Sequence, residues 1–314
     1  MKVFQTICVF GVGGVGGYFG AKIAANLNDA QKKDSEVFFI ARGDHLKAIR
    51  AHGITLVTPE KTIQARPTLA TAGMDPVPDP DLILLCVKGY DLENALNAIR
   101  PKVRSHTLVL PLLNGVDIYD RIRTVMTTGI VLPACVYVGT HIFAPGVIHQ
   151  SGGNGRILFG QDPAQKDMDL NPLLNFFGNV GINYQFAHDP SPAIWEKFMF
   201  IAAYGLVTAQ TGQTVGEVLA DEESKACIQG IMGEIACIAK RKMIELPENI
   251  IADSMAKGKQ FPFNTKTSYQ RDVEQPGRKN EGDLFGGTII RQGRDLGIPT
   301  PVTESIYSKI TNKG

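Results

Sequence analysis

From residue 6 to about residue 160, short apolar runs alternate with longer segments of helical period. The clearest runs are 6–10, 37–41, 82–87, 107–111 and 130–138. Runs of this length, rich in Val, Ile and Leu and mostly apolar, suit strands buried on both faces. The first half is therefore expected to be a doubly wound α/β layer around a parallel sheet. A shorter β-like stretch over 54–69 interrupts the alternation, and Pro76, Pro78 and Pro80 then mark a loop. The β-like segments 147–150 and 156–159, a helical stretch over 168–177 and a strand over 183–187 close this half.

Beyond residue 188 the period of 3.6 dominates, over 194–210, 222–245 and 286–296. Ser191 and Pro192 stand at cap and first-turn positions, and Asp221, Glu222 and Glu223 form a second start signal. These patterns predict two domains, 1–187 of α/β type and 188–314 of helices.

Composition narrows the function classes. With 32 Lys+Arg against 31 Asp+Glu and a net charge of +1, the chain lacks the global basic charge that nucleic acid or an anionic membrane surface requires. No apolar run approaches the ~18 residues of a membrane span. The start, Met1-Lys2-Val3-Phe4, leads into a glycine motif without an apolar leader, so a cytoplasmic protein is expected. The five cysteines lie apart in apolar runs and are expected to be buried reduced thiols. Neither a CxxC nor an HExxH pair is present, the six histidines form no cluster along the chain, and no metal is expected.

The strongest local signal is Gly11-Val12-Gly13-Gly14-Val15-Gly16-Gly17, which follows a strand and opens a helix. In a dinucleotide fingerprint, Gly11 makes the tight turn, Gly13 lets the backbone approach a pyrophosphate and Gly16 lets the helix pack on the strand. Residues 11–16, Val12, Gly14 and Val15 included, are thus a candidate cofactor loop in a Rossmann-type domain. The choice of dinucleotide rests on the end of the second strand. Glu36 lies at the wrong end of that run, whereas Arg42 lies at its carboxyl end, where a guanidinium suits a 2′-phosphate. NADP(H) is the expected cofactor.

Taken in order along the chain, these residues resemble the ketopantoate reductases (2-dehydropantoate 2-reductases). The resemblance rests on the glycine fingerprint, Arg42-Gly43, the stretch from Cys86 through Lys88 to Tyr90, Leu113-Asn114-Gly115-Val116, Pro145-Gly146, Trp195-Glu196-Lys197-Phe198, 268–272 and the tail 297–302. It implies a Rossmann-type domain, a helical carboxyl-terminal domain, a substrate cleft between them, and NADPH-dependent reduction of ketopantoate to pantoate on the route to pantothenate and coenzyme A. It permits a monomer or a homodimer.

The resemblance also implies roles. Lys197 matches the catalytic lysine, which stabilises the nascent alkoxide and delivers a proton. Lys88 and Asn114, each just past a predicted strand, would contact the cofactor, and Asn114 would also place the substrate. Ser268 matches a serine that binds the substrate carboxylate, and Glu281 matches a glutamate near the lysine. One extra residue around Gln275-Pro276-Gly277 separates Glu281 from Asp272 relative to the usual spacing.

The chain departs from the family pattern after Lys197. The family places asparagines four and eight residues on, where this chain has Ile201 and Gly205, and a third before a Gly-Glu pair, where it has Val215. Loss of amides that bind a hydroxyl should weaken recognition of the hydroxymethyl end of ketopantoate. A more apolar α-keto acid is therefore an alternative substrate, and a non-catalytic NADP(H) sensor is a third reading.

Overall fold

The computed structural model describes residues 4–27, 35–275 and 277–312. In chain order the first part holds β1 (Thr6–Phe10), α1 (Gly14–Leu27), β2 (Glu36–Ile40), α2 (Gly43–His52), β3 (Ile54–Val57), β4 (Thr62–Ala65), β5 (Leu69–Thr71), β6 (Leu82–Leu85), α3 (Leu92–Ile99), β7 (Leu108–Pro111), α4 (Ile118–Val125), β8 (Ile130–Val131), β9 (Ala134–Ala144), β10 (Val147–Phe159), α5 (Asn171–Asn179) and β11 (Asn183–Phe186). There follow α6 (Ser191–Thr211), α7 (Val215–Ala220), α8 (Glu222–Arg241), α9 (Ile250–Gly258), α10 (Ser268–Val273), a π-helical turn at Asp283–Gly287, α11 (Thr288–Leu296) and α12 (Pro301–Thr311). The chain divides into two compact units: Met1–Asn114 with Ile118–Pro190, and Gly115–Asp117 with Ser191–Gly314.

The sheet unit is built on six strands in the order β5-β2-β1-β6-β7-β8, and every neighbouring pair is parallel. The four residues of β6 and of β7 are all buried, as two-sided cover demands. A second sheet, in the order β11-β10-β3-β4 with β9 on β10, packs against α1. Helix α1 fits between the sheets because its contacting positions lack side chains. A Cβ on Gly20 would lie 2.9 Å from the Phe39 ring of β2, and one on Gly17 would lie 2.6 Å from Ile148 of β10.

Three departures from the sequence pattern have local causes. The run 130–138 splits into β8 and β9, which join different sheets; Pro133 stands between them and has no N–H for a ladder. Residues 147–150 and 156–159 are one strand, β10, whose pairing with β9 shifts register at the intervening glycines. The helix expected to run to residue 245 ends at Arg241, and Met243 takes φ 60° in the turn that follows.

The expectation of buried thiols is corrected. Cys8 and Cys135 are buried, Cys86 and Cys227 are half-buried, and Cys237 is exposed. Ile235, Ile238 and Ala239 of α8 face the core, so the helical phase turns Cys237 outward. Burial pushes the Cys8 thiol up to about 12, which leaves it unreactive.

The helical unit has its own core, centred on Trp195, Phe198, Tyr204, Ile231, Ile235 and Phe285. Among the described residues, no helix is long and apolar enough to cross a membrane.

Candidate active site

The parallel register puts the carboxyl ends of β1, β2, β6 and β7 on one edge of the sheet. The glycine loop follows β1, Arg42 follows β2, Lys88 follows β6 and Asn114 follows β7, so the expected cofactor residues of this unit share that edge. The strand order reverses direction at β1, the usual position for ligands in open α/β sheets. The amides of Gly11 and Val12 donate to Ile40 O at 3.1 and 2.9 Å, which ties the loop to the end of β2.

The fingerprint glycines differ in what surrounds them. Gly11 has φ 92°, and a Cβ there would meet Val87 and the Cys86 carbonyl at about 3 Å. A Cβ on Gly16 would stand 2.3 Å from Gly11 O. A Cβ on Gly13 would meet nothing within 4 Å. Gly11 and Gly16 are thus required by the chain's own packing. Gly13 instead leaves backbone open beside the amino terminus of the 14-residue helix α1, whose first amides and dipole suit a phosphate. The loop fits a dinucleotide.

Two residues near this loop carried no sequence signal. Asp91, 49 positions from Arg42, accepts from Arg42 Nη2 at 3.1 Å. His45 accepts through Nδ1 from the Gly146 amide at 3.0 Å, linking α2 to the β9–β10 turn. Burial lowers the His45 pKa, and the Val12 carbonyl facing the ring pulls weakly the other way. His141 and His149 also meet across β9 and β10, with ring centroids 5.9 Å apart, and Phe143 stacks on His149. Among the described residues no group of three or more metal-ligating side chains forms.

In the helical unit Lys197 is half-buried on α6, Ser268 is exposed at the start of α10, and Glu281 is buried, two residues before the π-helical turn. One aromatic knot joins the three elements. Phe285 of the π turn packs on Phe198, the neighbour of Lys197, at 6.2 Å, and on Tyr269, the neighbour of Ser268, at 5.4 Å. The Tyr269 hydroxyl is buried without a hydrogen-bond partner among the described residues, beside Gly282, where a Cβ would stand 2.6 Å away. Burial pushes this phenol well above its ordinary value, so it stays neutral. The extra residue near Gln275 involves Pro276, which lies outside the described residues.

The three apolar replacements have distinct settings. Ile201 is half-buried against the helical core. Gly205 is buried, and a Cβ there would touch the Tyr269 side chain at 3.6–3.7 Å. Val215 is 4% exposed at the first position of α7, behind the Thr214–Glu217 capping box.

Comparison with known proteins bears on the whole chain. The family described as "Ketopantoate reductase PanE/ApbA" matches residues 7–164, and its carboxyl-terminal counterpart, "Ketopantoate reductase PanE/ApbA C terminal", matches residues 190–314. A 2-dehydropantoate 2-reductase of Mesorhizobium japonicum is 27% identical, over 97% of this chain and 96% of its own. The solved PanE/ApbA family ketopantoate reductase of Ralstonia eutropha JMP134 superposes with a TM-score of 0.86 at 27% identity, covering 97% of each chain. A D-mandelate dehydrogenase solved with NADH and anilino(oxo)acetate shares the fold, with a TM-score of 0.82 at 22% identity over 98% of this chain and 97% of its own. With family matches on both halves and relatives aligned end to end, the chain belongs to the ketopantoate reductase family.

Proposed function

We propose that the protein is a cytoplasmic, NADPH-dependent 2-dehydropantoate 2-reductase, which reduces ketopantoate to pantoate in pantothenate and coenzyme A synthesis. In this reading residues 1–187 bind the dinucleotide and 188–314 supply the substrate-binding and catalytic groups. The observation that carries it is the shared carboxyl edge of the parallel sheet, with the loop backbone open at Gly13 and Arg42 at the end of β2. Gly11 to Gly16 cradle the pyrophosphate, Arg42 takes the 2′-phosphate, and Lys88 and Asn114 line the cofactor site.

The chemistry supplied by the bound dinucleotide is hydride delivery to the keto carbon. Everything else falls to side chains. Lys197 holds an ammonium against the oxygen that gains charge and gives it a proton, so that the nascent alkoxide becomes the hydroxyl of the product. Glu281 orients Lys197, Asn114 orients the keto group, and Ser268 hydrogen-bonds the carboxylate. The joining of the elements that carry Lys197, Ser268 and Glu281 through Phe198, Phe285 and Tyr269 supports these roles.

A second reading, reduction of a more apolar α-keto acid by the same chemistry, is favoured by the half-buried Ile201 and by the buried Gly205, which carries no side chain. Neither position offers a side-chain amide to a substrate hydroxyl. Steady-state NADPH oxidation with ketopantoate, beside α-keto acids that lack its hydroxyl, decides between the two. A kcat/KM highest for ketopantoate supports the first reading. A higher value for an apolar acid leaves only the reaction type, and no oxidation with any keto acid removes both.

A further inference from the structure

Arg42 is held by a specific carboxylate. Its Nη2 stands 3.1 Å from Asp91 Oδ2, with the arginine side chain 69% exposed and the aspartate side chain 22% exposed. Asp91 closes the short turn Gly89–Asp91, where its amide donates to Lys88 O at 2.9 Å. The carboxylate is therefore the fixed member of the pair, and the guanidinium keeps an open side toward solvent.

At the carboxyl end of β2, a carboxylate would accept the ribose 2′-hydroxyl of NAD, whereas an arginine takes the 2′-phosphate of NADP. This chain has both, one on the loop after β2 and one on the loop after β6. A phosphate that shares a guanidinium with a carboxylate meets a like charge, while a neutral hydroxyl meets an acceptor to which it can donate.

We propose that Asp91 sets the cofactor preference, competing with a 2′-phosphate for Arg42 and offering an acceptor to a 2′-hydroxyl, so that the site takes NADH as well as NADPH. The inference rests on the assignment of Arg42 to the 2′-phosphate. It makes Asp91 a specificity residue that acts both through Arg42 and directly on the 2′ substituent.

Equilibrium titration of the full chain with NADPH and with NADH, followed by nicotinamide fluorescence, tests this without turnover. Asp91→Asn should raise the ratio of the NADH to the NADPH dissociation constant about three- to tenfold, since it removes a charge and keeps the shape. In an Arg42→Ala background only the direct repulsion of the phosphate and the acceptor for the hydroxyl remain, so the same change should move the ratio in the same direction but by a different factor. A ratio that stays constant or falls on Asp91→Asn overturns the proposal, because the carboxylate then only steadies the guanidinium. If Arg42→Ala weakens NADPH selectively while Asp91→Asn has no effect, this inference fails alone. If Arg42→Ala weakens both dinucleotides equally, the 2′-phosphate assignment fails with it.

Discussion

Gly13 and Gly16, three residues apart, let the binding role proposed for the loop be tested apart from its folding role. A methyl group on Gly16 would press on the Gly11 carbonyl at 2.3 Å, and backbone there cannot yield without moving β1 from α1. Gly16→Ala should cost about 2–4 kcal/mol of stability, seen as a lower midpoint in urea. Gly13→Ala meets nothing in the protein, so its melting should stay close to wild type while NADPH affinity falls at least about tenfold. If Gly13→Ala binds NADPH normally, the loop does not approach the pyrophosphate. His45 gives a second single-residue test. Its pKa is depressed below the ordinary 6.5 by burial, so the unfolded imidazole takes up a proton more readily than the folded one. The stability it contributes is therefore complete above the unfolded value and is lost as pH falls through the folded value. Protonation at Nδ1 also ends the bond from Gly146. His45→Asn, whose carbonyl can replace Nδ1 as acceptor, should flatten the fall in melting temperature between about pH 7 and pH 5. Equal slopes in the two proteins would exclude His45 as the titrating group.

At the scale of elements, the apolar runs marked where strands lie because burial on both faces leaves no polar position in them. What they did not mark was sheet membership. Nothing in 130–138 says that the strand before Pro133 continues the parallel sheet and the one after it joins another, because that choice depends on β7 and β10, far apart in the chain. The same limit hid Asp91 from Arg42 and His45 from Gly146, whereas the glycine loop was readable because its chemistry is local. Helix α12 shows a long-range device of this kind. Its Thr300 cap makes no side-chain cap bond; instead Glu234, 9% exposed on α8, accepts from the amides of Val302 and Thr303 at 2.7 and 3.0 Å and from Thr303 Oγ1 at 2.5 Å. A buried carboxylate on the first turn satisfies orphan amides and favours the helix dipole. Glu234→Ala should destabilise the helical unit by about 2–4 kcal/mol, and Glu234→Gln, which keeps an acceptor, by about half as much. Thermal melts of both variants check the order.

At the scale of the whole molecule, two cores mean two sources of stability. The change of texture near residue 188 arises because α/β alternation and long amphipathic helices bury their apolar residues differently. The short piece Gly115–Asp117, which groups with the helices, could not be read in advance: Val116 packs on the helical core and Thr288 Oγ1 donates to Asp117 at 3.3 Å, contacts made across 171 residues. The single tryptophan makes the two cores separable by experiment. Trp195 is 4% exposed in the helical core, so its fluorescence reports that unit alone, while far-ultraviolet circular dichroism reports both. In the sheet unit, Asp162 is fully buried and accepts from Tyr119 Oη at 2.8 Å, from the Val131 and Ala164 amides at 2.9 Å, and from Arg123. Asp162→Ala strands the Arg123 charge and should cost that unit about 3–5 kcal/mol. In urea its dichroism should begin to fall before the Trp195 signal moves. Glu234→Ala should reverse the order, with Trp195 fluorescence leading. Coincident transitions in both variants would mean that the two cores unfold as one cooperative body, and that a loss in either is felt by both.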